Sequence, residues 1–408
     1  MSSKNQKKNI LKVGIIGTGG RGINAFGSYL ATRKDAELAA LCDPNPVRME
    51  AAAKRLNRSM RLYPTVEKMI ASEKLDAAVI TSPDYCHEPN AVAALKGGIN
   101  VLIDKPLATT VKGCQNIIAA AKKADKVVMM GFNLRHHAVL KRLKKIIDDG
   151  VLGRVFLIEN REFYDGGRTY MSRWNRHYAK SGGLWIHKGS HDFDIFNWFL
   201  GFPKPVKVSA FAGVDVLTPK HIPFKVKPGI PVGPTCGQCP YKKICPDVYD
   251  LAETANGQWS DAAKKVDGYS KDLCMYTSDK DTHDNGIAIV EYENGVKASH
   301  MECFITSLSD RLYTVVGDRG QAEASLHHRT ITVRPRWNGE VVTYQVPEES
   351  GGHGGADPSL ANAFLETIKG RLKNQSTVEH GMWSTAIGQA AEISRRQSRM
   401  VAIKELFK

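Results

Sequence analysis

No stretch of this 408-residue chain approaches about 18 consecutive apolar residues, so no membrane-spanning helix is expected. Residues 1–9 are polar and basic and lack the apolar core of a secretory signal, which points to a cytoplasmic protein. There is no internal repeat. There is also no arginine-rich tract or nucleic-acid-binding motif, although the net charge is +15. The lysines are scattered, so the excess reads as a solvated basic surface or as a match for an anionic substrate, and a nucleic-acid partner is not expected. Cysteine is sparse, with 8 in all. Cys42, Cys86, Cys114 and Cys303 sit apart in apolar segments and look like small core residues. The composition, 42% hydrophobic and 24% charged, is that of an ordinary globular protein. The length exceeds one typical core and predicts two domains.

What the chain does have begins at once. Residues 12–22 read Lys-Val-Gly-Ile-Ile-Gly-Thr-Gly-Gly-Arg-Gly, an apolar strand running straight into Gly17-x-Gly19-x-x-Gly22. A helical stretch, a second apolar strand (38–42) and Asp43 at its tip follow. Spaced glycines alone mean little. After a strand, before a helix, and with an acid about 20 residues on, they form the dinucleotide-binding fingerprint. Gly17 permits the tight turn, Gly19 lets the backbone approach a pyrophosphate, and Gly22 lets helix and strand pack closely. The helix N-terminus offers free N–H groups to phosphate. Asp43 suits the ribose hydroxyls of NAD and repels a 2′-phosphate. A plain glycine turn in an α/β protein is the competing reading.

Strands alternate with helices as far as Gly131. Residues 76–81, 100–103 and 126–130 read as buried strands, and 46–56, 88–96 and 110–124 as helices. This predicts an α/β architecture: a Rossmann doubly wound parallel sheet with ligands beyond the carboxyl ends of its strands, where Gly17, Asp43, Ser82 and Lys105 fall. Later the pattern changes. A basic amphipathic helix (139–149) leads into strand-like runs at 155–163, 206–212, 286–292, 296–304, 311–316 and 331–334. Short turns between several of these predict a C-terminal α+β domain with a mostly antiparallel open sheet. The expected division is 1–131, 132–349 with a cysteine-rich insertion at about 230–280, and 350–408. The last part is a glycine-rich linker (350–357) and two helices, about 358–371 and 380–398, packing back on the body.

Three segments carry a resemblance to a known family. Asp104-Lys105-Pro106 resembles the Glu-Lys-Pro motif of the Gfo/Idh/MocA family, that of glucose–fructose oxidoreductase and inositol dehydrogenase. Residues 182–194, from Gly182-Gly183-Leu184-Trp185 to His191-Asp192-Phe193-Asp194, are similar to its glycine-rich segment ending in G-x-H-x-x-D. Thr81-Ser82-Pro83-Asp84-Tyr85-Cys86-His87 resembles its T-P-x-x-x-H turn. The resemblance covers nearly the whole chain. It implies an NAD cofactor, hydride chemistry on a sugar, polyol or sugar derivative, and a homo-oligomer, dimer or tetramer, formed through the C-terminal sheet. The cofactor-facing set is then Gly17, Thr18, Gly19, Gly20, Arg21, Gly22, Asp43, Ser82, Pro83, His87, Asp104, Lys105 and Asn133.

Oxidising an alcohol needs a base to take the hydroxyl proton as hydride leaves carbon, and the reverse needs an acid at the same place. Lys105 stands at a strand's carboxyl end, beside the expected nicotinamide, where partial burial near the positive ring is expected to lower its pKa toward a useful value. His191 titrates near neutrality unaided. Asp194, three residues on, shares a helical face with His191 and is expected to orient its ring. The family implies that the matching lysine and histidine are the catalytic pair. A solvated loop lysine and a structural histidine are the bland alternatives. The chain departs from the family where many members carry an Asp four residues before the catalytic His. Here that residue is His187, and Lys188 follows it, available for substrate hydroxyls or an acidic group.

Cys236-x-x-Cys239, Cys245 and Cys274 form a second departure, in a proline- and lysine-rich insertion. In a cytosolic protein such a cluster favours metal, as structural Zn or an iron–sulfur cluster, with disulfides or free thiols as alternatives. Aromatic and basic residues, Arg161, Tyr164, Arg168, Tyr170, Arg173 and Trp174, precede the glycine-rich segment, and His283 and His300 come later. Tyr and Trp suit sugar faces and Arg suits carboxylates, so Tyr164, Arg168, Trp174, His187 and His283 are the candidate substrate contacts. Three functions stay open. They are a sugar dehydrogenase or reductase, a glycoside-cleaving enzyme that oxidises, eliminates, hydrates and re-reduces with NAD held in place, and a non-catalytic NAD-bound scaffold or sensor.

Overall fold

The structure, a computed structural model, describes residues 10–249 and 257–408. The basic residues 1–9, and residues 250–256 of the cysteine-rich insertion, lie outside the described residues.

Two sheets organise the chain. Strands β1 (Leu11–Ile16), β2 (Ala36–Cys42), β3 (Arg61–Tyr63), β4 (Ala77–Ile80), β5 (Asn100–Asp104) and β6 (Val128–Gly131) pair in the order β3-β2-β1-β4-β5-β6. Every pairing is parallel. Covered on both faces, such strands must be apolar throughout, and all four residues of β4 are buried. Ile16, Ile80 and Ile103 pack on one face. Val13, Ile15 and Leu102 pack on the other, with Phe26 and with Leu360 and Phe364 of the helix Ala356–Ile368. The strand order reverses between β1 and β4, and a crevice opens there beyond the strand ends.

The second sheet contains β7 (Val155–Phe163), β8 (Pro205–Gly213), β9 (Asn285–Tyr292), β10 (Lys297–Cys303), β11 (Asp310–Gly317), β12 (Gly320–Ser325), β13 (Thr330–Pro335), β14 (Val342–Gln345) and β15 (Val401–Ala402). Their order is β14-β13-β12-β11-β7-β10-β9-β8-β15. Among the described residues only β7 and β10 run parallel. One face is covered by the helices Ala138–Asp148, Ser190–Phe199 and Val378–Gln397, through Leu143, Phe196 and Ile387 among others. Among the described residues, no helix covers the other face along β8 and β9. Burial alternates along β9, leaving Ile287 and Ile289 outward beside Phe211 of β8.

Local chemistry explains the element boundaries. The helix Pro46–Leu56 starts with Pro at its first turn, and the Asn45 side chain accepts the Arg48 N–H at 3.1 Å. Sequence reasoning misses β3, the helix Val66–Ser72, β12 and β14. Only three residues long, β3 shows no period, and β12 (Gly-Gln-Ala-Glu-Ala-Ser) has no β-branched residue and owes its strand to pairing on both sides. Residues 350–357 are more than a linker, because Asp357 is buried and bonded to the glycine loop through Arg21. No helix among the described residues is long and apolar enough to cross a membrane.

Candidate active site

The glycine loop leaves space only where a dinucleotide needs it. Gly17 has φ +93°, and a side chain there would begin 2.5 Å from the Ser82 backbone nitrogen. Gly22 is pressed against the Gly17 carbonyl and Thr81. At Gly19 a side chain would meet nothing within 4 Å, so the backbone there faces open space. Asp43, at the tip of β2, accepts the Thr18 N–H at 3.0 Å and hydroxyl at 2.9 Å, and the Asn45 N–H at 3.0 Å. Gly20 opens the helical turn that follows. Residues and shape fit the extended, phosphate-bearing body of NAD.

Below the loop, Arg21 donates to Asp104 (3.0 Å) and Asp357 (2.6 Å), and Asn133 donates to Asp357 (2.8 Å). Pro83 opens the turn Asp84–Cys86. The His87 ring faces the Ser82 carbonyl (2.9 Å) and the Pro106 carbonyl (2.7 Å), tying together the loops after β4 and β5.

A cavity of about 470 Å³ lies between the two sheets, beyond β4 and β5. Lys105, His187, Lys188 and His191 all line it, with Tyr164, Tyr170 and Trp174. Lys105 donates to the His187 carbonyl at 2.5 Å, and burial lowers its pKa against the opposing pull of Asp84 and Asp104. Burial also puts His191 well below the usual histidine range, helped by Lys105 and Arg311, so its ring is neutral at pH 7. His191 Nδ1 is buried and has no partner among the described residues.

The other two basic side chains of the cavity are committed. His187 Nδ1 lies 2.7 Å from the Asp84 carboxylate, and its Nε2 lies 3.1 Å from the Asn175 amide nitrogen. That pairing fits a neutral ring carrying its proton on Nδ1. Consistently, burial lowers the His187 pKa despite Asp84. Tyr170 and Trp174 meet its ring edge-on, at 5.7 and 5.3 Å. Lys188 donates to Glu162 at 2.7 Å and sits 4.5 Å from the Tyr164 ring centre. Burial alone would lower its pKa, yet Glu162 and Tyr170 hold it above the ordinary lysine value, so it stays charged. Arg311 bridges Glu162 (2.5 Å) and Asp192 (3.0 Å), and the Tyr313 hydroxyl closes the network on Asp192 at 2.6 Å.

Comparison with known proteins follows from this geometry. Residues 11–132 match an oxidoreductase family's NAD-binding Rossmann fold, and residues 144–403 match its C-terminal alpha/beta domain. The chain belongs to the Gfo/Idh/MocA family. Within this family, YteT of Bacillus subtilis (strain 168), named simply as an oxidoreductase, is 27% identical over 402 residues, 91% of this chain and 92% of its own length. D-glucoside 3-dehydrogenase of Escherichia coli (strain K12) is 28% identical over 210 residues, 52% of this chain and 60% of that enzyme. An oxidoreductase from Agrobacterium radiobacter, solved with NAD+, L-tartaric acid and magnesium, superposes with a TM-score of 0.71 at 16% identity, covering 97% of this chain and 99% of the other. At that identity the likeness concerns the fold.

Not every expected residue reaches the cavity. Asp194 does not orient His191. Arg135 captures both its oxygens, at 2.7 and 2.6 Å, deep under the helix Ser190–Phe199. His283 is not a substrate contact, being fully buried, 2.5 Å from Glu302 and stacked near Trp185. Arg168 turns outward, toward Asp165 (3.7 Å) and the Val248 carbonyl (3.4 Å). The cysteines gather without forming a metal centre. A bridge between Thr235 and Leu273 sets Cys236 beside Cys274, and Cys239 and Cys245 lie on the turns that follow. All are free thiols, and among the described residues no group of three or more His, Cys, Asp or Glu side chains is arranged to hold a metal ion. The insertion owes its order instead to backbone pairing and to a small apolar cluster that includes Cys274, Met275, Tyr276 and Leu217.

Sequence reasoning also misses contributors. Glu162, Arg311, Asn175 and Asp357 hold the site but sit in no motif. The available signal was a charge at an inward position of β7, since Glu162 is buried where the strand alternation calls for an apolar residue.

Proposed function

We propose that the protein moves hydride between NAD and a carbinol carbon of a sugar, polyol or sugar derivative, with Lys105 and His191 as the acid/base pair. One observation carries the reading: His191 lines the same cavity as Lys105, which stands at the carboxyl end of β5, and the His191 ring has no hydrogen-bond partner at its buried Nδ1 among the described residues. When bound, NAD supplies the hydride acceptor or donor. The chain's own residues do the rest. A substrate hydroxyl between Lys105 and His191 gives its proton to one and is oriented by the other. Tyr164, Tyr170 and Trp174 offer ring faces and edges to the sugar, and Lys188, held by Glu162, offers a fixed positive charge to an anionic group. The relatives named for glucoside and inositol oxidation support the substrate class. The test is a panel of sugars and polyols offered singly to purified protein at a concentration equal to that of NAD, so that reduction of retained as well as free cofactor is read by NADH absorbance. No absorbance change with any member, in either direction, counts against the dehydrogenase.

Glycoside cleavage with NAD cycled in place is the second reading. The observation in its favour is a second proton-handling pair in the same cavity, His187 and Asp84. It predicts sugar release from a glycoside with no net NADH.

Asp43 leads us to propose NAD over NADP. The expected preference exceeds about tenfold, and Asp43→Ala should bring the two within about threefold by removing the repulsion of a 2′-phosphate. Binding isotherms for both cofactors decide this, and tighter NADP binding by the unmodified protein overturns it.

The face of the second sheet left uncovered along β8 and β9 supports a proposed homo-oligomer. Phe211 of β8 is 80% exposed and lies opposite Ile287 of β9, 43% exposed, with Ile289 two residues on. A patch of this kind on a soluble protein marks a contact surface. Phe211→Lys is expected to shift the mass measured by light scattering from dimer or tetramer to monomer. A monomeric unmodified protein would remove the proposal.

A further inference from the structure

Residues 257–272, the described part of the insertion after residue 256, leave the second sheet and pack on the tip of β2. Gln258, 2% exposed, donates its amide N–H to the Thr18 carbonyl in the glycine loop. Asn45, fully buried, donates to the Ala263 carbonyl and to Asp267, both at 2.9 Å. Arg48 donates to Asp267 at 2.8 Å and to the Gln258 carbonyl at 3.3 Å. The Arg48 guanidinium lies 4.7 Å and Lys271 Nζ 3.5 Å from the Trp259 ring centre. Arg48 is itself 8% exposed, with one nitrogen 3.9 Å from Asp43 and the other, Nη2, buried without a partner among the described residues. A segment merely tied down for its own sake would have no use for that spare donor beside the ribose carboxylate.

We propose that residues 257–272 roof the adenosine half of bound NAD, with Arg48 and Trp259 facing the cofactor, and that this roof keeps NAD on the protein between turnovers. The inference rests on the NAD reading above. Thr18, which the roof touches, lies in the glycine loop that takes the pyrophosphate, and Asp43, the acid for the adenosine ribose, lies 3.9 Å from the Arg48 that the roof holds. For NAD to leave, the bonds of Gln258 to Thr18, Asn45 to Ala263 and Arg48 to Asp267 must break together. A retained cofactor must be restored in place. The hydride, carrying the C–H electron pair of one carbinol carbon, then returns to a carbonyl carbon, either of a second sugar or of the same substrate later in its reaction, and the proton taken from the first hydroxyl returns to that carbonyl's oxygen.

The test uses the full chain, purified without added cofactor and passed through repeated gel filtration. NAD is extracted and quantified, and its release is timed by exchange against excess etheno-NAD, read by fluorescence. The unmodified protein is expected to keep close to one NAD per chain. Gln258→Ala and Asp267→Asn should each release it at least about tenfold faster, the loss of about one polar or cation–π contact. Asp267 is exposed, so its replacement leaves folding intact, and thermal unfolding without NAD checks both variants. Equal release rates in all three proteins overturn the roof while leaving the NAD reading standing. Slower release from the variants overturns it too, since the segment would then be a plug. Failure of the unmodified protein to bind NAD at all ends both.

Discussion

Replacing Lys105 or His191 with alanine is expected to lower turnover by about 100-fold or more, with NAD affinity nearly unchanged. Each lines the cavity from a different unit, Lys105 after β5 and His191 in the helix Ser190–Phe199, so neither can stand in for the other. Because both serve one proton transfer, the double variant should fall little below the weaker single variant. The pH profile offers a separate check. In alcohol oxidation the base must be unprotonated, so the rate rises with pH. Burial lowers the Lys105 pKa, so the plateau should arrive below the ordinary lysine range. Near-normal turnover in either alanine variant would remove that residue from the mechanism.

Asp194→Ala should have the opposite signature, a large loss of stability with turnover per folded molecule retained. Asp194 is 1% exposed and Arg135 7%, and the carboxylate takes two guanidinium bonds. Burial raises the Asp194 pKa and Arg135 opposes the rise. Truncation leaves a guanidinium buried without its counter-charge, a cost of about 3–5 kcal/mol. Arg135 keeps its bond to the Gln375 carbonyl at 2.6 Å, which offsets part of the loss. Denaturant midpoints measure this. A stable variant with collapsed turnover would mean that Asp194 serves His191 after all.

Local rules made the first sheet readable. Apart from the short β3, its strands are mainly apolar runs, and its helices carry caps, as Thr110 shows by accepting the Gly113 N–H at 3.0 Å. The glycine fingerprint needs only neighbours in sequence, so it too was visible. Asp194 was misread because spacing on a helix says which residues share a face and nothing of what packs against that face. Arg135 arrives there from 59 positions away. Glu162 and Arg311 were invisible for the same reason: their pairing exists only once β7 and β11 lie side by side. The cysteine spacing suggested ligands, but spacing in sequence does not fix where thiols point, and among the described residues no group of three or more such side chains is arranged to hold a metal ion.

The last stretch of chain touches both sheets. Leu360 and Phe364 complete the core under β1, the Met130 N–H of β6 donates to the Ser376 carbonyl at 2.7 Å, and β15 pairs with β8. On the ribosome, therefore, the six strands of the first sheet are made well before residues 356–368, and their apolar underside stays open until that helix follows. A chain stopped short of residue 356 would lack the wall that covers Val13 and Ile15, and would present that surface to chaperones and proteases. Vectorial synthesis thus gives this protein one late assembly step, in which its final helices close both halves at once.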